Sequence, residues 1–174
     1  READGSMPWL DSPRALQAWA VADEHGIVMD IEVLAAGGGG PSVPAIIALA
    51  RRHPRLRVVL DHMLEPEAED ANFGLDERFE PLAAEPNIYF KFTSINLDLY
   101  READLPADQA LRSAVDLFGA DRIMWGSDIG TSSGTYQDMV QRMLAATALL
   151  TDAERDAVLY QTGKRVFAKP NTRD

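Results

Sequence analysis

Short apolar runs alternate with longer amphipathic stretches along most of the chain. The apolar runs, several rich in β-branched residues, predict strands at residues 27–34, 56–60, 87–93 and 123–125. Apolar residues at helical spacing predict helices at 13–25, 44–52, 76–84, 108–118, 135–149 and 152–161. The segment 94–106 follows neither period and is expected to be irregular.

This alternation determines the expected fold class. Strands that alternate with helices are typical of βαβ units and a parallel sheet, so we predict an α/β fold. A length of 174 residues suits one domain, taken as residues 1–174. Four strands could form a small open sheet, but they could equally be half of an eight-stranded (β/α)8 barrel. Such a half-barrel would leave two strand edges and one face of the sheet uncovered.

Composition and charge exclude several classes of protein. The net charge of −11 argues against a nucleic-acid partner, because phosphate backbones are bound by clustered positive charge. The longest apolar run, at 143–150, is too short to cross a bilayer, and the first residues lack the apolar core of a secretory signal. The chain has no cysteine, which excludes disulfides and thiolate chemistry and fits a cytoplasmic protein.

Each predicted strand ends near a titratable or polar side chain. These are Glu32, His62, Lys91 with Thr93, and Asp128. In a (β/α) barrel the carboxyl ends of the strands meet at one mouth, so these residues would converge although they are far apart in sequence. A histidine, a lysine and two carboxylates in one cleft suffice for general acid–base or metal-assisted hydrolysis. The alternative is structural, since Lys91 could extend from its strand into solvent and Glu32 could pair with it.

Asp128 is the strongest single candidate. Gly126 and Ser127 come directly before it and let the backbone turn into the mouth, where Ser127 could serve as an orienting hydroxyl. Other catalytic classes lack their motifs, because no GxGxxG, Walker or GxSxG sequence is present.

Four segments together resemble the amidohydrolase-related family, barrel hydrolases and decarboxylases that include 2-pyrone-4,6-dicarboxylate lactonase. The segments are 58–63 (VVLDHM), 87–93 (NIYFKFT), 122–128 (RIMWGSD) and 161–167 (QTGKRVF). The resemblance implies a (β/α)8 barrel of which this chain is the C-terminal half. His62 would then lie on the sixth strand and Asp128 on the eighth.

The resemblance also implies roles for these residues. Asp128 would activate water, by itself or on a bound metal, and His62 would bind or polarise the substrate. Two departures bear on the metal: the family's HxH pair is absent, and Glu32 stands where many members have a histidine. Two alternatives therefore stay open. One is a metal-independent site; the other is a single divalent ion, zinc or manganese, held by Asp128, His62 and Glu32.

Residues and resemblance together predict a hydrolase of a small carboxylated lactone, ester or amide. Asp128 and His62 would be catalytic, and Lys91, Glu32, Thr93 and Ser127 would line the substrate site. The alternatives are a metal-dependent decarboxylase on the same fold and a non-catalytic binding protein derived from the barrel. The expected partners are a small-molecule substrate and either a second copy or the N-terminal half of the barrel, with no nucleic acid and no membrane.

Overall fold

The sheet at the centre of the fold is parallel. In the computed structural model, which describes residues 7–33, 39–68 and 72–168, its strands are β1 (Met29–Ile31), β2 (Val58–Leu60), β3 (Ile88–Thr93) and β4 (Ile123–Gly126). Each strand pairs with the next one in the sequence, in the order β1-β2-β3-β4. Parallel pairing in sequence order, with helical crossovers, is the arrangement of a (β/α) barrel, so the predicted fold class is confirmed.

The helices lie between and after the strands. They are α1 (Pro8–Asp11), α2 (Pro13–His25), α3 (Val43–Arg52), α4 (Ser94–Glu102), α5 (Ala107–Phe118), α6 (Tyr136–Ala146), α7 (Asp152–Asp156) and α8 (Thr162–Val166). A π-helical turn, Ala157–Gln161, joins α7 to α8. Short 3₁₀ segments lie at Gly40–Ser42, Asp61–Leu64, Glu80–Ala84 and Ala120–Arg122.

The segment predicted to be irregular contains a helix. α4 begins directly after β3, where the side chain of Asn96 accepts a hydrogen bond from the backbone N–H of Thr93 at 2.9 Å. Leu97 and Tyr100, three residues apart, are both buried on the face that packs against the core. The prediction for 94–106 was therefore wrong, because a helix cap and a short apolar face were overlooked.

The predicted helix at 76–84 is also wrong in part. Only its second half is helical, as a 3₁₀ turn at Glu80–Ala84. Asp76 instead uses its side chain to accept a hydrogen bond from the backbone N–H of Arg78 at 2.8 Å. Such a local side-chain bond competes with helix formation, which explains why no helix starts at Asp76.

Two further boundaries differ from the prediction. β1 is confined to three residues, shorter than the predicted 27–34, of which residue 34 lies outside the described residues. The helix predicted at 152–161 continues through the π-helical turn into α8 and ends at Val166. The segment 161–167 therefore lies at the end of a helix.

The two faces of the sheet have different environments. Alternate strand residues point to opposite faces, and one face packs against the helices. Its buried strand side chains include Val58, Leu60, Ile88, Phe90, Phe92 and Ile123. The other face, here called the inner face, carries a small second apolar cluster made of Val59, Met124 and Val166, flanked by Val28 and Tyr89. Further along the strands this inner face becomes polar, at the carboxyl ends where the site lies.

The described helices are short compared with the thickness of a membrane. In the part of the chain that the structure describes, no helix has the length and apolarity needed to cross a bilayer. Over the same ranges, β1 and β4 each pair with one neighbouring strand and form the two edges of the sheet.

Candidate functional site

The turn that follows β2 determines where His62 points. Four consecutive residues, His62 to Glu65, have positive φ angles between 47° and 60°. This left-handed conformation is unfavourable for residues with a β-carbon, so surrounding contacts must hold it. The backbone N–H of His62 donates to Asp61 Oδ1 at 3.0 Å, and the N–H of Glu65 donates to the carbonyl of His62 at 2.9 Å. The strand therefore ends in a strained turn that holds the histidine.

The ring of His62 is buried and contacts two polar side chains. Its Nδ1 lies 2.7 Å from the hydroxyl oxygen of Thr93, at the end of β3. Its Nε2 lies 3.1 Å from Oε1 of Glu32, just after β1. The side chain of His62 is 3% exposed, whereas that of Glu32 is 50% exposed. Three strand ends thus meet at one buried imidazole.

Asn96 is the residue that sequence reasoning missed. Its amide nitrogen donates to the backbone carbonyl of His62 at 2.8 Å, and its oxygen accepts from both the N–H and the hydroxyl of Thr93. The side chain is completely buried. The signal that could have found it is the spacing Thr93-x-x-Asn96, which matches a capping box at the start of α4.

Lys91 lies between two carboxylates on the inner face. Its Nζ donates to Oδ2 of Asp30 at 2.5 Å and to Oδ2 of Asp61 at 2.8 Å. Partial burial acts to lower the pKa of Lys91, but the bonds to Asp30 and Asp61 outweigh it, so this pKa is raised. Partial burial raises the pKa of Asp30, and Lys91 only partly opposes that effect. The lysine is therefore charged and already paired.

Asp128 follows β4 in a left-handed conformation with φ of 50°. Together with Asp61, Lys91 and Thr93 it lines a cavity of about 210 Å³. The floor and the remaining wall are formed by Met124, Trp125, Gly126, Gly163 and Phe167. The carboxylate accepts a hydrogen bond from the hydroxyl of Ser132 at 3.3 Å. Asp128 is thus half-buried, open to a cavity the size of a small ligand, and held by one neighbour.

The predicted site residues are brought together to different degrees. His62, Thr93 and Glu32 are in direct contact, and Lys91 joins them through Asp61, whose Oδ1 lies 3.7 Å from Nδ1 of His62. No hydrogen bond or ion pair connects Asp128 with His62 within the described ranges. Thr93 links the two, because it lines the cavity of Asp128 and contacts the imidazole.

Ser127 has a smaller part in this arrangement than the sequence suggested. It is half-buried beside Asp128, and among the described residues it makes no hydrogen bond.

The metal hypothesis can be tested against these donors. His62 Nε2 and Glu32 Oε1 are 3.1 Å apart, which fits two ligands of one ion at metal–ligand distances of about 2.0–2.2 Å. The described residues contain no group of three or more histidine and carboxylate side chains that could hold a metal. Asp128 is therefore not assembled with His62 and Glu32 into one ligand set, and this part of the chain does not supply a complete metal site.

The strand ends offer a definite set of chemical groups. Asp128 can accept a proton from water in the cavity, and the buried imidazole can bind a polar ligand at Nε2. The mouth is acidic, because the four carboxylates of Asp30, Glu32, Asp61 and Asp128 lie around the ammonium of Lys91, which Asp30 and Asp61 already pair. Such a site suits the hydrolysis of a neutral polar molecule and disfavours anionic ligands.

Comparison with known protein sequences gives consistent matches. A family model described as amidohydrolase matches residues 2–169. An L-fucono-1,5-lactonase from Burkholderia ambifaria is 33% identical over 122 residues, which are 69% of this chain and 40% of that protein. An L-fucono-1,5-lactonase from Burkholderia multivorans is 29% identical over 176 residues, covering 90% of this chain and 56% of that protein. The chain therefore spans about half the length of the curated relatives it matches.

Solved structures show the same fold. A zinc-bound amidohydrolase from Burkholderia multivorans has a TM-score of 0.71 at 24% identity, covering 94% of this chain and 60% of that one. A candidate 2-pyrone-4,6-dicarboxylic acid hydrolase from Pseudomonas putida has a TM-score of 0.74 at 23% identity, covering 93% of this chain and 59% of that one. A 2,6-dihydroxybenzoate decarboxylase from Rhizobium has a TM-score of 0.61 at 18% identity, covering 96% of this chain and 59% of that one. These likenesses identify the described sheet and helices as part of a TIM-type barrel.

Proposed function

This chain belongs to the amidohydrolase family, and we propose that it carries the water-activating half of a lactonase active site. One observation supports the proposal above the others. Asp128 and Thr93 line the same cavity at the strand ends, and Thr93 contacts the buried imidazole of His62. The acid therefore lines a space where a small ester carbonyl can bind, and the histidine lies behind Thr93, one contact away from that space.

The reaction follows from the chemistry of these groups. Asp128 takes a proton from water as the water oxygen forms a bond to the lactone carbonyl carbon. The resulting tetrahedral intermediate then collapses, and the bond between that carbon and the ring oxygen breaks. The departing ring oxygen receives the proton, so that one water is consumed and one open-chain hydroxy acid is formed. His62 contributes Nε2 to binding the substrate, and Thr93, Lys91, Glu32 and Ser127 line the approach.

The charge of the mouth supports a neutral substrate. Lys91 was predicted to line the substrate site, but its ammonium is held by Asp30 and Asp61. In the described part of the chain the other charged side chains at these strand ends, Glu32 and Asp128, are acidic, so a carboxylated lactone would be repelled. We therefore propose a neutral, hydroxylated lactone, the chemistry named for the two Burkholderia relatives, in place of the carboxylated substrate predicted from the sequence.

The described residues could supply only some of the ligands of a divalent ion. His62 and Glu32 could supply two ligands to zinc or manganese, and any further ligand would come from outside the described residues. Such an ion would act as a Lewis acid on the carbonyl oxygen. Metal analysis of the complete enzyme tests this point, since one bound ion per active site supports a shared site and none supports the metal-independent route.

Substitution of Asp128 by asparagine in a protein that contains the complete barrel tests the proposal. Loss of the general base should reduce kcat for lactone hydrolysis by about 10²- to 10⁴-fold. The matched control is Asp121→Asn, which changes an exposed carboxylate at the opposite end of the same strand and should leave turnover unchanged. Equal turnover of Asp128→Asn and the wild type would remove Asp128 from catalysis.

The same protein separates the rival functions. Release of carbon dioxide from an aromatic acid, without lactone hydrolysis, would identify the decarboxylase alternative. Binding of a lactone without its hydrolysis would identify a non-catalytic barrel.

A further inference from the structure

We propose that Gly39 is a positioning residue, which braces the left-handed turn carrying His62 through a close contact with Leu64. Gly39 belongs to the glycine run 37–40, of which residues 39 and 40 lie within the described ranges. The inference rests on the proposed function only in taking His62 as a substrate-binding group. It is carried by the space around Gly39 and by the hydrogen bonds of its backbone N–H and carbonyl.

The space beside Gly39 leaves no room for a β-carbon. Such an atom would lie 2.6 Å from Cβ and 2.7 Å from the carbonyl oxygen of Leu64, well inside van der Waals contact. The backbone angles of Gly39, φ −87° and ψ −4°, are not left-handed and are compatible with a side chain. Close approach therefore requires glycine here, and it lets the N–H of Gly39 donate to the carbonyl of Leu64 at 2.6 Å.

Both sides of this contact are held in place. Leu64 is completely buried in the core, and the atoms that a β-carbon would strike are its carbonyl oxygen and its own β-carbon, which side-chain rotation cannot remove. On the other side, the carbonyl of Gly39 accepts hydrogen bonds from the hydroxyl of Ser42 at 2.6 Å and from its N–H at 2.8 Å. Ser42 is also completely buried. A side chain at position 39 would therefore displace the backbone of Leu64.

Displacement of Leu64 would reach His62 because the two residues share one strained turn. His62 to Glu65 all have positive φ, and the N–H of Glu65 donates to the carbonyl of His62. Hydrogen bonds from outside hold this turn at two points, since Asn96 donates to the carbonyl of His62 at 2.8 Å and Gly39 donates to that of Leu64. So unfavourable a conformation persists only where its surroundings hold it, and losing one hold should change the direction of the imidazole.

The connection between β1 and α3 therefore acts on the histidine in two ways. Glu32, just after β1, contacts the imidazole at Nε2, and Gly39, shortly before α3, braces the backbone that carries the ring. Asp128 lies after β4 and takes no part in this contact. Gly39 should therefore control how tightly the lactone is bound more than how fast water attacks it.

Gly39→Ala and Gly40→Ala form a matched pair of neighbouring substitutions. The atoms nearest to a new β-carbon at Gly40 belong to the guanidinium of Arg78, at 3.3 Å, which is the end of a flexible side chain. In a protein that contains the complete barrel, Gly39→Ala should raise KM for the lactone about 10-fold and lower kcat less. Gly40→Ala should keep both constants of the wild type. A purely structural effect would lower the amount of folded enzyme and leave KM unchanged.

Carbon-13 NMR of the histidine rings in the 174-residue chain gives a readout that needs no turnover. The chain has three histidines, and His62→Gln assigns the signal of His62. At one fixed pH, Gly39→Ala should shift this signal and leave that of His53, whose ring stacks on Trp19, in place. Gly40→Ala should shift neither signal.

Ser42→Ala is the variant to use if Gly39→Ala does not fold. It removes the hydroxyl that holds the Gly39 carbonyl without adding an atom, and it should shift the His62 signal to a smaller extent. An unmoved His62 signal in the folded variant, equal effects of Gly39→Ala and Gly40→Ala, or an unchanged KM would overturn the proposal. A shifted His62 signal together with full activity of Asp128→Asn would support the positioning role and refute the proposed function alone.

Discussion

The ammonium of Lys91 lies 2.5 Å from Oδ2 of Asp30, although the two residues are on strands that are not neighbours. Lys91 belongs to β3 and Asp30 to β1, so the side chain reaches across β2 over the inner face. Asp61, directly after β2, accepts a hydrogen bond from the same ammonium. One lysine therefore connects three strands at the end of the sheet where the site lies.

Replacing Lys91 by methionine should destabilise the fold. The change keeps the length of the side chain but leaves Asp30 and Asp61 with no cation between them, at a cost of about 1–3 kcal/mol in the free energy of unfolding. The pKa of Lys91 is raised above its ordinary 10.5, so its stabilisation is present at neutral pH and is lost as the pH rises beyond 10.5. Urea unfolding of both proteins at several pH values measures this difference.

Lys164→Met is the matched control for that prediction. Lys164 is exposed on α8 and lies 5.1 Å above the ring of Tyr160, a contact of about 0.5–1 kcal/mol. A difference between wild type and Lys91→Met that stayed constant above pH 10.5 would show that the lost packing, and not the charge, accounts for the effect.

Much of the fold could be predicted from the sequence because it depends on local patterns. Helix α2 begins after Ser12, whose side chain accepts a hydrogen bond from the N–H of Ala15, and it ends at the left-handed Gly26. Both are the residue types expected at those positions. The prediction failed where a side chain overrode the pattern. Asp76 bonds to the backbone of Arg78 and prevents a helix, and Asn96 starts a helix in a stretch with no visible period.

The meeting of several strand-end side chains at one edge could be predicted from the sequence, but the hydrogen bonds that connect them could not. The rule that parallel strands deliver their ends to one edge was enough to gather His62, Thr93 and Glu32. Nothing in the sequence shows that Lys91 donates hydrogen bonds to Asp61 and Asp30, because those bonds depend on the register and twist of three strands. A lysine that looks free for a substrate in the sequence is therefore neutralised in the fold.

Replacing Glu65 by asparagine should stabilise the protein. Glu65 has a φ of 47°, a left-handed conformation that asparagine adopts more readily, and relief of this strain is worth about 1 kcal/mol. Burial raises the pKa of Glu65 above its ordinary 4.5, so the folded state also carries a penalty for the carboxylate that disappears below that pH. Urea unfolding should show a gain for Glu65→Asn that is larger at neutral pH than below pH 4.5.

The control for this substitution is Glu77→Asn. Glu77 is exposed and is not among the residues with positive φ, so its free energy of unfolding should change by less than about 0.5 kcal/mol. Equal effects at Glu65 and Glu77 would attribute the gain to the loss of negative charge from an acidic protein, and would contradict the assignment to the left-handed turn.

Two glycines that line the cavity should respond differently to alanine. A β-carbon at Gly126 would lie 3.3 Å from Cγ2 of Thr93, which cannot shift because His62 holds it. Gly126→Ala should therefore destabilise by about 1 kcal/mol and lower kcat/KM for the lactone several-fold. At Gly163 the new β-carbon would meet only Met124 at 3.8 Å, an ordinary contact, so Gly163→Ala should be neutral or stabilising. Parallel kinetics and urea unfolding compare them; equal losses would mean that cavity volume, not the position of Thr93, controls activity.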